Sequence, residues 1–271
     1  MPTDIQTNRP ATLRRLIVRV SSQTLAFSTT DANANVQYQT YLVKNGMSMA
    51  ANLREALRTE PMLQADYGRV VVMVDAPVLL IPVDQFREDE QEELYRHAIT
   101  SRESAVVMHY VLTDTNAVAV FGVGKDLCTV LTDRFGTVRF IPVTAPVWRH
   151  MHQRSFTGPR QKLYAYFHDG HMEVFAFTQN RFTFCNAFDV QAPDDALYYM
   201  LSVWKLLGMT AEQDELHLAG LLPDGEQLLE QARTFVKRVY HILPAGEFNR
   251  AQVTQVKGIP YDIVVYYMKK A

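Results

Sequence analysis

The chain has 271 residues, of which 48% are hydrophobic, and its formal net charge is −2 at pH 7. This hydrophobic share is ordinary for a packed globular protein, so extensive disorder is not expected. Lys and Arg form no dense cluster, and the sequence therefore does not predict a nucleic-acid-binding surface. The two cysteines, Cys128 and Cys185, have no C-x-x-C partner, which is typical of buried, reduced thiols in a cytosolic protein.

Targeting signals are missing from the sequence. Residues 1–10 are polar and lack the apolar core of a secretory signal. The longest apolar stretch, residues 70–83, is interrupted by Asp75, Pro77 and Pro82, whereas a membrane-spanning helix needs about 20 apolar residues. We therefore expect no membrane insertion and a cytoplasmic location.

The predicted elements follow the order βββαβα, and this order occurs twice along the chain. In the first copy, apolar or alternating residues predict strands at 16–20, 24–28 and 36–41. A helix capped by Ser48 follows. Next comes a β-branched stretch at 69–74, typical of a strand buried on both faces. We expect a mixed sheet whose first three strands are antiparallel.

An inserted segment follows the first copy. After an acidic helical stretch, residues 117–121 predict a strand and residues 125–134 predict a helix that leads into another strand. The clearest boundary signal in the chain is Thr157-Gly158-Pro159. We therefore predict a first lobe at residues 1–157, containing an inserted strand-helix-strand subdomain, and a second lobe at residues 158–271.

The second copy opens with a hairpin. Strands predicted at 162–167 and 172–178 flank Asp169-Gly170, and Asp-Gly between two strands is a strong hairpin signal. The remaining elements are predicted in the order strand, helix, strand, helix and strand, at residues 181–188, 194–207, 215–220, 225–241 and 262–268.

Three stretches carry a resemblance to a known fold, at residues 16–43, 70–141 and 162–220. Their order of elements resembles the actin-like ATPase fold, a ribonuclease H-like duplication. The form it resembles includes the pilus-assembly protein M and the cytoplasmic domain of the type II secretion L protein. The stretch Ile81-Pro82-Val83-Asp84-Gln85-Phe86 is similar to that of an uncharacterised bacterial family assigned to the same fold. The resemblance implies a two-lobed α/β protein with mixed sheets and an ATP-binding cleft between the lobes.

The resemblance also implies which turns would hold ATP and magnesium. In such folds the first turn of each lobe carries an acid and a glycine, so that backbone N–H groups approach phosphate and the acid orders the metal. The first turn here reads Ser21-Ser22-Gln23 and has neither. The second turn contains Asp169-Gly170, adjacent where the fold has Asp-x-Gly, and a tight hairpin also explains this pair.

A third loop of the fold holds adenosine. Ala219-Gly220 resembles that motif, although glycine there also serves an ordinary strand-to-helix turn. The candidate nucleotide contacts are therefore Asp169, Gly170, Ala219 and Gly220, in a site that is degenerate as a whole.

Other motifs give no catalytic or metal site. Gly122-Val123-Gly124-Lys125-Asp126 lacks the first glycine and the final Ser or Thr that a P-loop requires. The pairs His150/His152 and His168/His171 supply too few ligands for a zinc site. The chain has no G-x-S-x-G elbow of a serine hydrolase.

Two classes of function remain. The favoured one is a non-catalytic actin-like-fold protein that acts as a protein-interaction or assembly module, with a protein partner or as a homodimer. The alternative is an ATPase or small-molecule kinase, in which Asp169 orders the metal and Asp75 or Asp189 is a second acid. Tyr266 and Tyr267 lie on opposite faces of the predicted last strand, and an exposed edge with aromatic residues invites pairing with another chain.

Overall fold

The computed structural model describes residues 14–31, 35–99 and 104–269. Its strands are β1 (Arg15–Val20), β2 (Thr24–Thr30), β3 (Val36–Leu42), β4 (Arg69–Val74), β5 (Val78–Pro82), β6 (Ala105–Leu112), β7 (Ala117–Gly124), β8 (Val138–Pro142), β9 (Lys162–His168), β10 (His171–Thr178), β11 (Arg181–Asp189), β12 (Glu215–Gly220) and β13 (Val239–Ile242). Its helices are α1 (Met49–Thr59), α2 (Gln91–Ala98), α3 (Lys125–Phe135), α4 (Thr144–Ser155), α5 (Pro193–Leu206), α6 (Gly225–Phe235), α7 (Pro244–Glu247) and α8 (Tyr261–Lys269).

The first lobe is built on a five-stranded sheet in the order β3-β2-β1-β4-β8. Strands β1, β2 and β3 are antiparallel, whereas β4 runs parallel to β1 and β8 runs parallel to β4. Both central strands, β1 and β4, are almost fully buried, and apart from Arg15, Arg19 and Arg69 their side chains are apolar, as expected for parallel strands covered on each side. Ser48 caps α1 by accepting the N–H of Ala51 at 3.2 Å, as predicted.

The second lobe repeats this plan in the order β11-β10-β9-β12-β13. Strands β9, β10 and β11 are antiparallel, and β12 lies parallel to both β9 and β13. The β9–β10 turn places Asp169 and Gly170 at φ of 47° and 82°, the left-handed geometry of a tight hairpin. The duplicated arrangement and the antiparallel opening of each sheet are therefore confirmed.

A smaller sheet in the order β5-β7-β6 forms an inserted subdomain. All of its pairings are antiparallel. It differs from the predicted strand-helix-strand, because β8, the second strand of that prediction, pairs with β4 in the main sheet. Ile81, Val118 and Val120 form a small buried cluster with Tyr95 of α2, whose hydroxyl donates to the carbonyl of Pro77 at 3.0 Å. The subdomain therefore has apolar packing of its own beside the main core.

The prediction of a final strand at 262–268 is wrong, because this segment is the helix α8. It packs against α4, and Tyr266, only 2% exposed, joins Leu16 and Ile17 in the core of the first lobe. The Tyr267 hydroxyl lies 3.0 Å from that of Ser28. β-Branched and aromatic residues favour strands only weakly, and burial on several sides of a helix overrides that preference. The predicted aromatic strand edge therefore does not exist.

The helix predicted at 225–241 also differs from the structure. Helix α6 ends at Phe235, and residues 239–242 form β13. Val239 continues the apolar spacing of α6, but it pairs with Leu216 in the sheet, so backbone pairing outweighs the local pattern.

The division into lobes at residues 1–157 and 158–271 stays a prediction. Within the three described ranges, the structure contains no helix that is long and apolar enough to cross a membrane.

Candidate functional site between the lobes

A single charged side chain lies inside the central strand of the first lobe. Arg19 of β1 is 3% exposed and stands between two buried valines. Its Nε donates to both carboxylate oxygens of Asp262 in α8, at 3.1 and 2.9 Å. Asp262 is itself fully buried and also accepts the hydroxyl of Tyr166 at 2.8 Å. A buried guanidinium therefore joins the start of the first lobe to the last helix.

The other end of the Arg19 guanidinium points at the second lobe. Its Nη1 and Nη2 donate to the two oxygens of Asp169 at 3.2 and 2.5 Å. Such bidentate contacts are the strongest form of protein ion pair. Arg19 thus joins β1, the β9–β10 turn and α8 in one hydrogen-bonded unit.

The charges of this unit shift the pKa values of its members. Burial opposes ionisation of Asp169, but the hydrogen bonds from His168 and Arg19 outweigh it and hold the pKa of Asp169 well below its usual range. Burial alone would lower the pKa of His168, yet its hydrogen bond with Asp169 and the charge on Asp75 leave that pKa raised. Arg19 and His168 therefore both favour the ionised form of Asp169.

One group of side chains in this cleft has the spacing of a metal site. Ligand atoms of Asp75, His168 and Asp169 all lie within 4.8 Å of one another. The His168 Nδ1 is 3.2 Å from Asp169 Oδ2 and 3.8 Å from Asp75 Oδ1. Burial raises the pKa of Asp75, and the neighbouring Asp169 carboxylate adds to that rise. Two carboxylates and an imidazole could ligate a divalent ion, but the same Asp169 oxygens already accept from Arg19.

The sequence offered Asp75 and Asp189 as candidates for a second acid beside Asp169, and the fold places these two residues apart. Asp75 follows β4 and reaches the cleft beside His168. The Asp189 side chain is 88% exposed at the end of β11, and its carboxylate lies 2.7 Å from His171. Only Asp75 is therefore placed to act together with Asp169.

A cavity of about 390 Å³ opens beside this unit. Arg19, Tyr38 and Asp169 line its polar side, and Leu221 and Leu243 line its apolar side. Burial raises the pKa of Tyr38 to about 12, so its phenol stays protonated at neutral pH. The volume lies within the range of about 300–1,000 Å³ that small-molecule pockets occupy.

The four candidate nucleotide residues are only partly brought together. Asp169 and Gly220 line the cavity, whereas Gly170 and Ala219 do not belong to its lining. A Cβ on Gly220 would lie 2.1 Å from the carbonyl oxygen of Phe167, and its φ is 90°. Backbone packing alone therefore requires glycine at position 220.

The first turn closes on itself. The Ser21 N–H donates to the carbonyl of Thr24 at 2.9 Å, and the Ser21 hydroxyl accepts the Thr24 N–H at 3.2 Å. The Ser21 hydroxyl also lies 3.0 Å from that of Thr24.

Two residues of the site were not predicted from the sequence. Arg19 was not identified, although a lone charge inside an apolar strand was a usable signal. Asp262 was not identified because it lay in the segment predicted as a strand.

Comparisons with known proteins agree with this architecture. A family model described as "Protein of unknown function (DUF3822)" matches residues 6–239. The chain belongs to this family. A search of the curated proteins finds no match.

Solved structures show the same fold. A Bacteroides thetaiotaomicron protein described as having an actin-like ATPase fold and unknown function is 28% identical. Its TM-score is 0.80, and the match covers 91% of this chain and 97% of that chain. The PilM–PilN type IV pilus biogenesis complex gives a TM-score of 0.55 at 11% identity, covering 95% of this chain and 97% of that chain. The predicted actin-like ATPase fold is confirmed.

Proposed function

We propose that this protein is a non-catalytic member of the actin-like fold that acts as a protein-interaction or assembly module. The observation that carries the proposal is the buried Arg19, whose guanidinium is held between Asp169 and Asp262. Arg19 provides, within the cleft, the positive charge that a bound metal would otherwise bring to Asp169.

Electrostatics argue against magnesium at this site. A cation at Asp169 would have to displace Arg19 from a bidentate contact, leaving a guanidinium buried with half of its partners lost. Breaking a buried ion pair in this way costs about 3–5 kcal/mol. The β1–β2 turn offers no compensating carboxylate, since its polar groups bond to each other.

A protein partner is consistent with the fold. The PilM protein in the compared structure occurs in a complex with PilN, and a degenerate nucleotide site leaves protein binding as the remaining use of the cleft and surfaces. The free cysteines, Cys128 and Cys185, are consistent with a reducing cytoplasm.

The alternative function is an ATPase or small-molecule kinase that uses ATP and magnesium. The observation that favours it is the grouping of Asp75, His168 and Asp169 next to a cavity of ligand size. In that case Asp169 and Asp75 would hold the metal, and the bound nucleotide would supply the phosphoryl group.

A ligand-dependent unfolding experiment separates the two functions. We expect the melting temperature of the wild-type protein to be the same with ATP and magnesium as with magnesium alone, and we expect no phosphate release above background. A ligand present at a hundredfold excess over its Kd would stabilise the native state by about 2.7 kcal/mol. Such a stabilisation, together with phosphate release that disappears in a folded Asp75→Asn variant, would establish the alternative.

A further inference from the structure

A second large groove lies between the inserted subdomain and the second lobe, and it shares no lining residue with the cavity beside Arg19. Its volume is about 590 Å³. Strand β5 forms one wall, strand β11 forms the other, and Trp148 of α4 and Glu173 of β10 also line the groove. This volume lies within the range of about 300–1,000 Å³ that ligand pockets occupy.

The groove runs along the edges of two sheets. Strand β5 ends one sheet and β11 ends another, so each has one side without a neighbouring strand among the described residues. Residues 77–80 and residues 182–187 all line the groove. Successive side chains on a strand alternate between its two faces, so a cavity that every successive residue touches must lie along the strand edge. Six residues of β11 extend for about 20 Å.

Neither edge carries much protection against pairing with another chain. Natural edge strands are usually protected by charges, especially Lys, or by proline. Strand β5 reads Val-Leu-Leu-Ile-Pro, with proline only at its last position. Strand β11 has charges only at its termini, Arg181 and Asp189. Val78, Leu79 and Leu80 are all partly exposed along this edge. A row of apolar residues with a free backbone edge is suited to strand addition.

Glu173 is the charged residue in the lining of the groove. Glu173 pairs in register with Tyr166 and Ala187, so its side chain lies on the face of the sheet that carries Tyr166. Among the described residues, the Glu173 carboxylate makes no hydrogen bond or ion pair. Burial raises the pKa of Glu173 above its ordinary value, against the opposing positive charges of His168 and His171. A carboxyl group that lines a pocket and makes no direct hydrogen bond or ion pair is suited to a cationic group from a ligand.

We propose that the groove between β5 and β11 binds an extended segment of a partner protein, in which a Lys or Arg side chain between apolar residues pairs with Glu173. The backbone of the segment adds to a free strand edge, and its apolar side chains contact Val78, Leu80 and Trp148. This inference rests on the proposed function as an interaction module and specifies the chemistry of the partner.

A random peptide library tests the proposal without a known partner. The wild-type protein is used to select displayed twelve-residue peptides, and the enriched peptides are synthesised for titration by fluorescence anisotropy. We expect the enriched sequences to share one basic residue within an alternating apolar pattern. Because hydrogen bonds to charged groups are strong, the Glu173→Gln variant should bind them about ten- to hundredfold more weakly.

Two further variants control the experiment. Asn186→Lys changes an exposed residue that lines the groove and should repel a basic peptide. Glu230→Gln changes an exposed glutamate on α6 and should bind as the wild type does. Melting temperatures check that each variant folds, and Glu173→Gln should melt at or above the wild-type temperature because it removes an unpaired, partly buried charge.

Several outcomes would overturn the proposal. These are a selection with no enrichment, enriched peptides without a basic residue, and equal affinity for wild type and Glu173→Gln. If ATP inhibits peptide binding and the Glu173→Gln variant binds peptide as the wild type does, the peptide site is the cavity beside Arg19. ATP turnover would refute the proposed function and leave the groove result standing, so the two failures are distinguishable.

Discussion

Each lobe of this protein opens with a hairpin turn, and the two equivalent turns differ in what their polar groups bond to. The β1–β2 turn of the first lobe is neutral, and Ser21 and Thr24 satisfy each other's polar groups. The β9–β10 turn of the second lobe carries His168 and Asp169, and its carboxylate is satisfied by Arg19 from the first lobe. The polar side chains of the first turn bond to each other, and the carboxylate of the second turn bonds to a residue of the other lobe.

This difference shows that equivalent turns of a duplicated fold can differ in whether they bond within one lobe or between the two. Asp169 was predicted from its turn as an acid that could order a metal, and in the structure its carboxylate is bonded by Arg19, a side chain of the protein itself. The lobes are then joined by an ion pair whose strength can be measured by substitution on either side.

The largest effect is expected from Arg19→Met. This substitution removes the shared cation and leaves Asp262 buried with Tyr166 alone, so the free energy of unfolding should fall by about 3–5 kcal/mol. Urea unfolding measures this change. Arg69→Met is the matched control, since Arg69 is exposed on the neighbouring β4, and it should stay within about 0.5 kcal/mol of the wild type. Equal effects of the two substitutions would refute the cross-lobe contact.

A smaller effect is expected from Asp169→Asn, which breaks the contact from the turn while the Arg19–Asp262 pair remains. The loss of charged hydrogen bonds should reduce the free energy of unfolding by about 1.5–3 kcal/mol.

The pH dependence of this loss follows from the two shifted pKa values. The contribution of Asp169 is present above its unfolded pKa of 3.8 and is lost as pH falls towards its lowered folded pKa. The contribution of His168 is complete below its unfolded pKa of 6.5 and is lost as pH rises through its raised folded pKa. The difference between wild type and Asp169→Asn should therefore be largest between pH 4 and 6.5. A difference that does not vary with pH would show that the charges are not coupled.

The smallest effect belongs to the first turn. Ser21→Ala removes a nearly buried hydroxyl that bonds only to Thr24, so we expect a loss of about 0.5–1.5 kcal/mol. This loss should be independent of pH between 4 and 8, because no ionisable group bonds to Ser21. Thermal unfolding across that range makes the measurement, and a pH-dependent loss would mean that the first turn also senses the cleft charges.

Much of the fold could be predicted because local patterns and packing agree. Strands β1, β4 and β9 are mainly apolar, and the Asp169-Gly170 pair favours a tight hairpin. The failures occur where packing overrides the pattern. Ile263, Val264 and Val265 predicted a strand, but each is buried in a helix that packs between the lobes.

The site was less predictable than the fold. Asp169 was identified because its turn resembles a known motif, yet the partner that determines its role is Arg19, on another strand and 150 residues away. Asp262 lies 243 residues from Arg19. Contacts over such separations leave no periodicity in the sequence, so only the topology brings these charges together.

The first lobe cannot complete its core until helix α8 has been synthesised. Ile263, Val265 and Tyr266 belong to the same apolar cluster as Leu16 and Ile17. A ribosome adds about 5–20 residues each second, so Arg19 precedes its buried partner by roughly 10–50 s. During that interval the nascent first lobe exposes the surface that α8 will cover, and Arg19 in its central strand lacks at least one of its two carboxylate partners. Chaperone binding to nascent chains that end before residue 261 should therefore exceed binding to the finished protein.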